Sequence, residues 1–156
     1  GCSNLQNLYL ANNRISKLPS GIFNNLPLKY LNLVGNQLTE LDNSTFAEYV
    51  NTIKTIDLSY NRLTTIANST FSGLKQVTTI TFVNNQITTI EAGAFNGLIN
   101  LQNIRFDNNN LTRLDNSTFA GCNNLQNIYL YNNPNLLKSN LQSLCPTAAV
   151  NCKFYY

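Results

Sequence analysis

Apolar residues recur along the chain in one phrase, Leu-x-x-Leu-x-Leu-x-x-Asn-x-Leu, with Ile, Val or Phe standing in for some of the Leu positions. It runs through Leu5, Leu8, Leu10, Asn13 and Ile15, then Leu28, Leu31, Leu33, Asn36 and Leu38, then Ile53, Ile56, Leu58, Asn61 and Leu63. Val77, Ile80, Phe82, Asn85 and Ile87 continue it, followed by Leu101, Ile104, Phe106, Asn109 and Leu111. A sixth copy, Leu125, Ile128, Leu130 and Asn133, breaks at Pro134, and successive copies start 23, 25, 24, 24 and 24 residues apart. A second marker keeps the same phase: Phe23, Phe46, Phe71, Phe95 and Phe119 each stand ten residues after the Asn of their copy. The x-Leu-x-Leu-x alternation predicts a short strand with one face inward. A unit of this size cannot bury that face alone, so the copies must stack on one another.

This pattern resembles the leucine-rich repeat family, in its extracellular form of about 24 residues with a Phe in the second half of each unit. The resemblance implies an α/β-type solenoid: a right-handed coil with a concave parallel sheet, a convex side that is irregular or 3-10 helical, and a short C-terminal capping helix. It also implies a ladder in which Asn13, Asn36, Asn61, Asn85, Asn109 and Asn133 point inward and bond backbone groups, since a buried amide must be paired. The five Phe would form a spine on the convex side. Residues 1–134 then make up the repeat array and 135–156 the cap. In the cap, Asn135 to Leu144 suits a short helix with Ser139 as its N-cap.

Gly1-Cys2-Ser3-Asn4-Leu5-Gln6-Asn7 nearly repeats Gly121-Cys122-Asn123-Asn124-Leu125-Gln126-Asn127, so the chain begins at the tail of a unit. An open array end exposes apolar surface, and upstream repeats or a partner covering that end are therefore expected. Cys2 and Cys122 occupy the inward position held by Leu26, Leu74 and Leu98 in other copies, and are read as core thiols. Five repeats separate them, roughly 25 Å at about 4.8 Å per strand, which excludes a bridge between the two. Cys145 and Cys152 are the credible disulfide, and it would imply an oxidising compartment. The alternative is a reduced pair in an intracellular array, while zinc lacks further ligands because the chain has no His.

Composition narrows the function. Only 11% of residues are charged and the net charge is +3, too weak and scattered for a nucleic-acid groove. No apolar run is long enough to span a membrane. The absence of His, of a nucleophile with a base beside it and of a glycine-rich phosphate loop speaks against an enzyme, and no cofactor is implied. Asn reaches 29 of 156 residues. Asn43, Asn68, Asn110 and Asn116 begin Asn-x-Thr sequons. With 29 Asn and 25 Ser plus Thr, random placement would produce between four and five, so their number carries no weight.

Function is expected on the solvent-facing positions of the concave strands. One column is Asn7, Tyr30, Thr55, Thr79, Asn103 and Asn127; the next is Tyr9, Asn32, Asp57, Thr81, Arg105 and Tyr129. The strand exits add Ala11, Val34, Ser59, Val83, Asp107 and Tyr131, with Tyr60 beside Ser59. Tyr offers contact area at low entropic cost, and small polar groups adapt to a partner. Tyr9, Tyr30, Tyr60, Tyr129 and Tyr131 are the expected anchors, with Asn32 and Thr81 between them and Asp57, Arg105 and Asp107 as orienting charges. Strand propensity alone also favours Tyr and Thr at such positions. Leu18-Pro19-Ser20-Gly21-Ile22-Phe23 and Gly35-Asn36-Gln37-Leu38 resemble Toll-type receptor ectodomains, secreted insect immune repeat proteins and variable lymphocyte receptors. That resemblance implies extracellular recognition of a protein ligand or co-receptor, in innate immunity or cell adhesion. The competing reading is an ice- or glycan-binding solenoid built on Thr and Asn, prompted by Thr64-Thr65, Thr88-Thr89 and Val77-Thr78-Thr79-Ile80-Thr81.

Overall fold

The structure is a computed structural model that describes residues 2–46, 52–139, 141–149 and 151–156. Among the described residues nine short strands form in chain order: β1 (Asn7–Tyr9), β2 (Tyr30–Asn32), β3 (Thr55–Asp57), β4 (Thr65–Ile66), β5 (Thr79–Thr81), β6 (Thr89–Ile90), β7 (Asn103–Arg105), β8 (Asn127–Tyr129) and β9 (Lys153–Tyr155). Seven of them make one parallel sheet in the order β1-β2-β3-β5-β7-β8-β9, and β4 pairs with β6 in a second, two-stranded sheet. From β1 to β8, neighbours in the large sheet are one repeat apart, so the chain is a coil that returns to the same place once per unit.

The register confirms the alternation. Leu8, Leu31, Ile56, Ile80, Ile104 and Ile128 stand opposite one another across successive pairs, and Phe154 extends the row. From Leu31 to Ile128 these central residues are fully buried. Their flanking neighbours point to solvent, as a two-residue side-chain period requires. On the far side the Phe residues stack, with ring centroids 5.3 Å apart for Phe46–Phe71, 5.6 Å for Phe71–Phe95 and 5.9 Å for Phe95–Phe119. Phe82 and Phe106, which replace Leu at one inward position, lie parallel at 5.1 Å and lock onto this spine edgewise. A buried Phe contributes on the order of 1.5–3 kcal/mol by area, and each aromatic contact about 0.5–1.5 kcal/mol more.

The Asn ladder is closed link by link. Asn61 Nδ2 donates to Leu33 O at 2.9 Å and Leu58 O at 3.0 Å, while its Oδ1 accepts the Leu38 N–H at 3.0 Å. Asn85 repeats this with Leu58 O, Phe82 O and Leu63 N–H, and Asn109 with Phe82 O, Phe106 O and Ile87 N–H. The Leu33, Leu58, Phe82 and Phe106 carbonyls thus each accept from the Asn of their own repeat and from that of the next, so both lone pairs are used. Asn36 and Asn133 follow the same plan. Asn13 is exposed and bonds only Leu10 O and Ala11 O.

The residue before each ladder Asn has left-handed backbone. Asn12, Tyr60, Asn84, Asn108 and Asn132 have φ between 55° and 58°, and Gly35 has 68°. Asn is among the few side chains that tolerate this region, because its short amide can bond locally. The Asn-Asn doublets are therefore a two-residue device: the first Asn makes the turn and the second satisfies the backbone behind it.

Two expectations change here. Among the described residues the capping helix shrinks to a single 3-10 turn, Leu141–Leu144, which starts two residues after Ser139. The Leu137 N–H instead donates to Thr112 O at 2.9 Å, an inter-repeat bond that holds the segment after Pro134 against the preceding repeat. Cys2 is exposed, whereas Cys122 is buried as expected, its thiol donating to Phe95 O at 3.2 Å. Burial pushes the Cys122 thiol up to about 12, so it stays neutral and unreactive at physiological pH. Cys145 and Cys152 are joined in a disulfide with Cα atoms 5.9 Å apart.

Candidate functional site

The outward residues of the large sheet divide into two aromatic ends and a polar centre. At the first end Tyr9, two-thirds exposed, packs against Tyr30 with ring centroids 5.3 Å apart. At the other, Tyr129 stacks on Tyr155 at 4.8 Å, and the Arg105 guanidinium sits 4.9 Å from the Tyr129 ring centroid. The Tyr155 hydroxyl donates to Asn127 Oδ1 at 3.3 Å, and Asn127 Nδ2 donates to Asn103 Oδ1 at 2.7 Å, a polar chain running across three strands. Beyond the strand exits, Tyr131, Pro134, Lys138 and Tyr156 line a shallow recess of about 320 Å³, with Lys138 Nζ 4.8 Å from the Tyr156 ring centroid.

The polar centre is tied to itself. Asp57 Oδ1 accepts the Ser59 N–H at 3.0 Å and the Thr81 hydroxyl at 2.6 Å, and Ser59 Oγ donates to Thr81 Oγ1. Asn32 Oδ1 accepts the Val34 N–H in the same manner. Asn32, Asp57 and Thr81 thus spend bonding capacity on the strand exits, which fixes their orientation for any contact they make. Thr81 in particular is no free member of a hydroxyl array.

Asp107 departs from its expected role as an exposed charge. It is buried, with Oδ2 held 2.7 Å from Arg105 Nε and Oδ1 accepting the Tyr131 N–H at 3.0 Å. Its work is to aim Arg105 at Tyr129 and to pin Tyr131. Strand-exit residues alternate less strictly than strand residues, and the column containing Ser59 and Asp107 turns inward. Tyr155 is the residue sequence reasoning missed: it lies past the break at Pro134, in a cap where no repeat marker pointed to a strand.

Two family models cover the chain, the BspA type leucine rich repeat region in six copies over residues 39–153 and the leucine rich repeat over residues 3–51. The chain is a leucine-rich repeat protein. Curated relatives of this repeat protein include leucine-rich repeat-containing protein 3B from Bos taurus, Mus musculus and Homo sapiens, each 38% identical over 69 residues, which is 44% of this chain. The chain spans only 27% of their length. Among solved structures, a leucine-rich repeat protein of Leptospira interrogans superposes with a TM-score of 0.80 at 26% identity, over 99% of this chain and 38% of its own. The Toll–Spätzle complex of Drosophila, a hub in development and innate immunity, gives a TM-score of 0.73 at 26% identity, over 84% of this chain and 20% of that one. Leucine-rich repeat proteins are typically binding modules, and the family suggests a protein-interaction role. Among the described residues of this repeat protein, no helix is long and apolar enough to cross a membrane.

Tyr60 stands out within the repeat plan. It takes the left-handed position that Asn or Gly fills in the other copies, with φ 57°, and the residue is 58% exposed. A bulky residue there is strained by on the order of 1 kcal/mol. Tyr60→Asn is accordingly expected to stabilise the fold by about 0.5–1 kcal/mol, seen as a higher midpoint in urea at unchanged slope. An unchanged or lower midpoint would mean the Tyr60 ring supports the fold.

Proposed function

We propose that this repeat protein is an extracellular recognition module whose concave sheet binds a protein partner, in innate immunity or cell adhesion. The observation that carries the reading is the pair of solvent-facing Tyr clusters at the two ends of the sheet, Tyr9 with Tyr30 and Tyr129 with Tyr155 and Arg105. Solvent-facing aromatic rings, Tyr9 exposed and the others half-buried, flanking an orientated polar centre are the composition of a contact surface with hot spots. The Cys145–Cys152 disulfide and the likeness to the Toll ectodomain support an extracellular setting. Tyr60 and Tyr131 extend the surface along its exit rim. Exposed Asn43, Asn68, Asn110 and Asn116 are available for glycosylation in that setting.

Tyr9 and Tyr131 are the informative substitutions, since both are exposed. Replacing both with Ala is expected to weaken partner binding at least tenfold, at about 1.4 kcal/mol or more, with little change in melting temperature. The test is affinity capture from the extracellular fluid of the source, with wild-type and doubly substituted baits side by side, then titration of the captured protein. Equal affinity for both baits would reject the concave face.

A further inference from the structure

Three repeats carry Asn-Ser-Thr immediately before the spine Phe: Asn43-Ser44-Thr45, Asn68-Ser69-Thr70 and Asn116-Ser117-Thr118. In each the Thr N–H closes the same turn, donating to Asp42 O at 2.9 Å, Ala67 O at 3.4 Å and Asp115 O at 3.0 Å. All three Thr side chains are buried, at 0%, 1% and 0% exposure. The Thr70 hydroxyl finds Ala67 O at 2.9 Å, but the hydroxyls of Thr45 and Thr118 have no partner. A buried, unpartnered hydroxyl opposes folding, and native interiors hold few of them. The turn does not require it. Ala94 occupies the same place in the Phe95 repeat, is equally buried, and closes the same bond to Glu91 O at 3.1 Å. Neither the Thr45 nor the Thr118 hydroxyl contributes a hydrogen bond to its turn.

The Asn two residues earlier is exposed in all three cases. Asn-x-Thr is the acceptor triplet of N-glycosylation, in which the Thr hydroxyl is part of what is recognised. In the folded protein these hydroxyls are out of reach, so recognition must precede closure of the turn. We propose that Asn43, Asn68 and Asn116 carry N-linked glycans, and that the hydroxyls of Thr45 and Thr118 serve the transfer rather than the fold. The Asn side-chain nitrogen bonds to the anomeric carbon of an oligosaccharide carried on a lipid pyrophosphate. The bond from that carbon to the phosphate oxygen breaks, the lipid pyrophosphate leaves with the electron pair, and one amide proton passes to a base of the transferase. Asn110-Leu111-Thr112 differs, because Thr112 is exposed and its hydroxyl costs nothing. The three glycans would stand on the turns opposite the large sheet and leave its concave face open.

The inference rests on the extracellular reading, because the lipid-linked donor belongs to the secretory compartment. The test has two arms. The full chain is secreted from eukaryotic cells and its glycopeptides are mapped by mass spectrometry before and after enzymatic glycan release. The expected result is glycan on Asn43, Asn68 and Asn116, lost from Asn43 in Thr45→Val and from Asn116 in Thr118→Val, and retained in Thr45→Ser. The same Val variants are then made without glycans in an oxidising bacterial periplasm, where each is expected to melt at the wild-type temperature or ~2–4 °C above it. An empty site at any of the three Asn, or Val variants that melt lower, overturns the proposal. Empty sites on a chain with Cys145 and Cys152 oxidised would reject the glycans alone, whereas a reduced pair in protein from the source would reject the extracellular reading.

Discussion

Asn85→Leu is expected to cost about 3–5 kcal/mol, a large part of the stability of a domain this size. The substitution removes three hydrogen bonds, from Nδ2 to Leu58 O and Phe82 O and from the Leu63 N–H to Oδ1. The two carbonyls keep their other Asn partners, Asn61 and Asn109. The Leu63 N–H loses its acceptor inside the coil, and that orphaned donor is the largest part of the penalty. Asn13→Leu is the matched control. It alters the same position of the repeat, but Asn13 is exposed and bonds only nearby carbonyls, so a loss below about 1 kcal/mol is expected. Urea unfolding of the two variants distinguishes a ladder from a local turn. Equal losses would mean that the bonds to the neighbouring repeat contribute nothing.

The coil itself is legible in the sequence because stacking forces each copy to solve the same problem in the same phase. Leu31, Ile56, Ile80, Ile104 and Ile128 are inward for one reason, and any one of them sets the register of the rest. The Asn doublets are half legible. The inward member could be assigned from the repeat, but the left-handed φ of its predecessor emerges only from the backbone, and with it the strain at Tyr60. The candidate site is less legible still, because the strand exits break the two-residue period. Asp107 and Tyr131 occupy equivalent positions, yet one is buried beneath Arg105 and the other faces solvent. Tyr155 was beyond reach for a different reason. Its strand is placed by long-range pairing with β8 and by the adjacent disulfide, and neither leaves a periodic trace in residues 135–156.

Opening the Cys145–Cys152 bridge is expected to cost about 2.5 kcal/mol by the chain-entropy model for a loop this short, and to act on the binding surface as well as on stability. Cys152 directly precedes β9, whose Lys153–Tyr155 pair with Asn127–Tyr129 of β8. The Leu130 N–H donates to Tyr155 O at 2.6 Å, and the Tyr155 ring is what Tyr129 stacks on. A β9 freed at its base exchanges these contacts for water and takes Tyr155 off the sheet. Tyr129 and Arg105 then lose the arrangement that makes this end of the face aromatic. The double substitution Cys145→Ser with Cys152→Ser should lower the melting temperature and raise hydrogen exchange at Leu130 and Lys153, while the Leu63 and Ile87 amides on the Asn ladder stay protected. Uniform loss of protection along the whole coil would show instead that the cap and the array unfold as one unit, with the disulfide holding both.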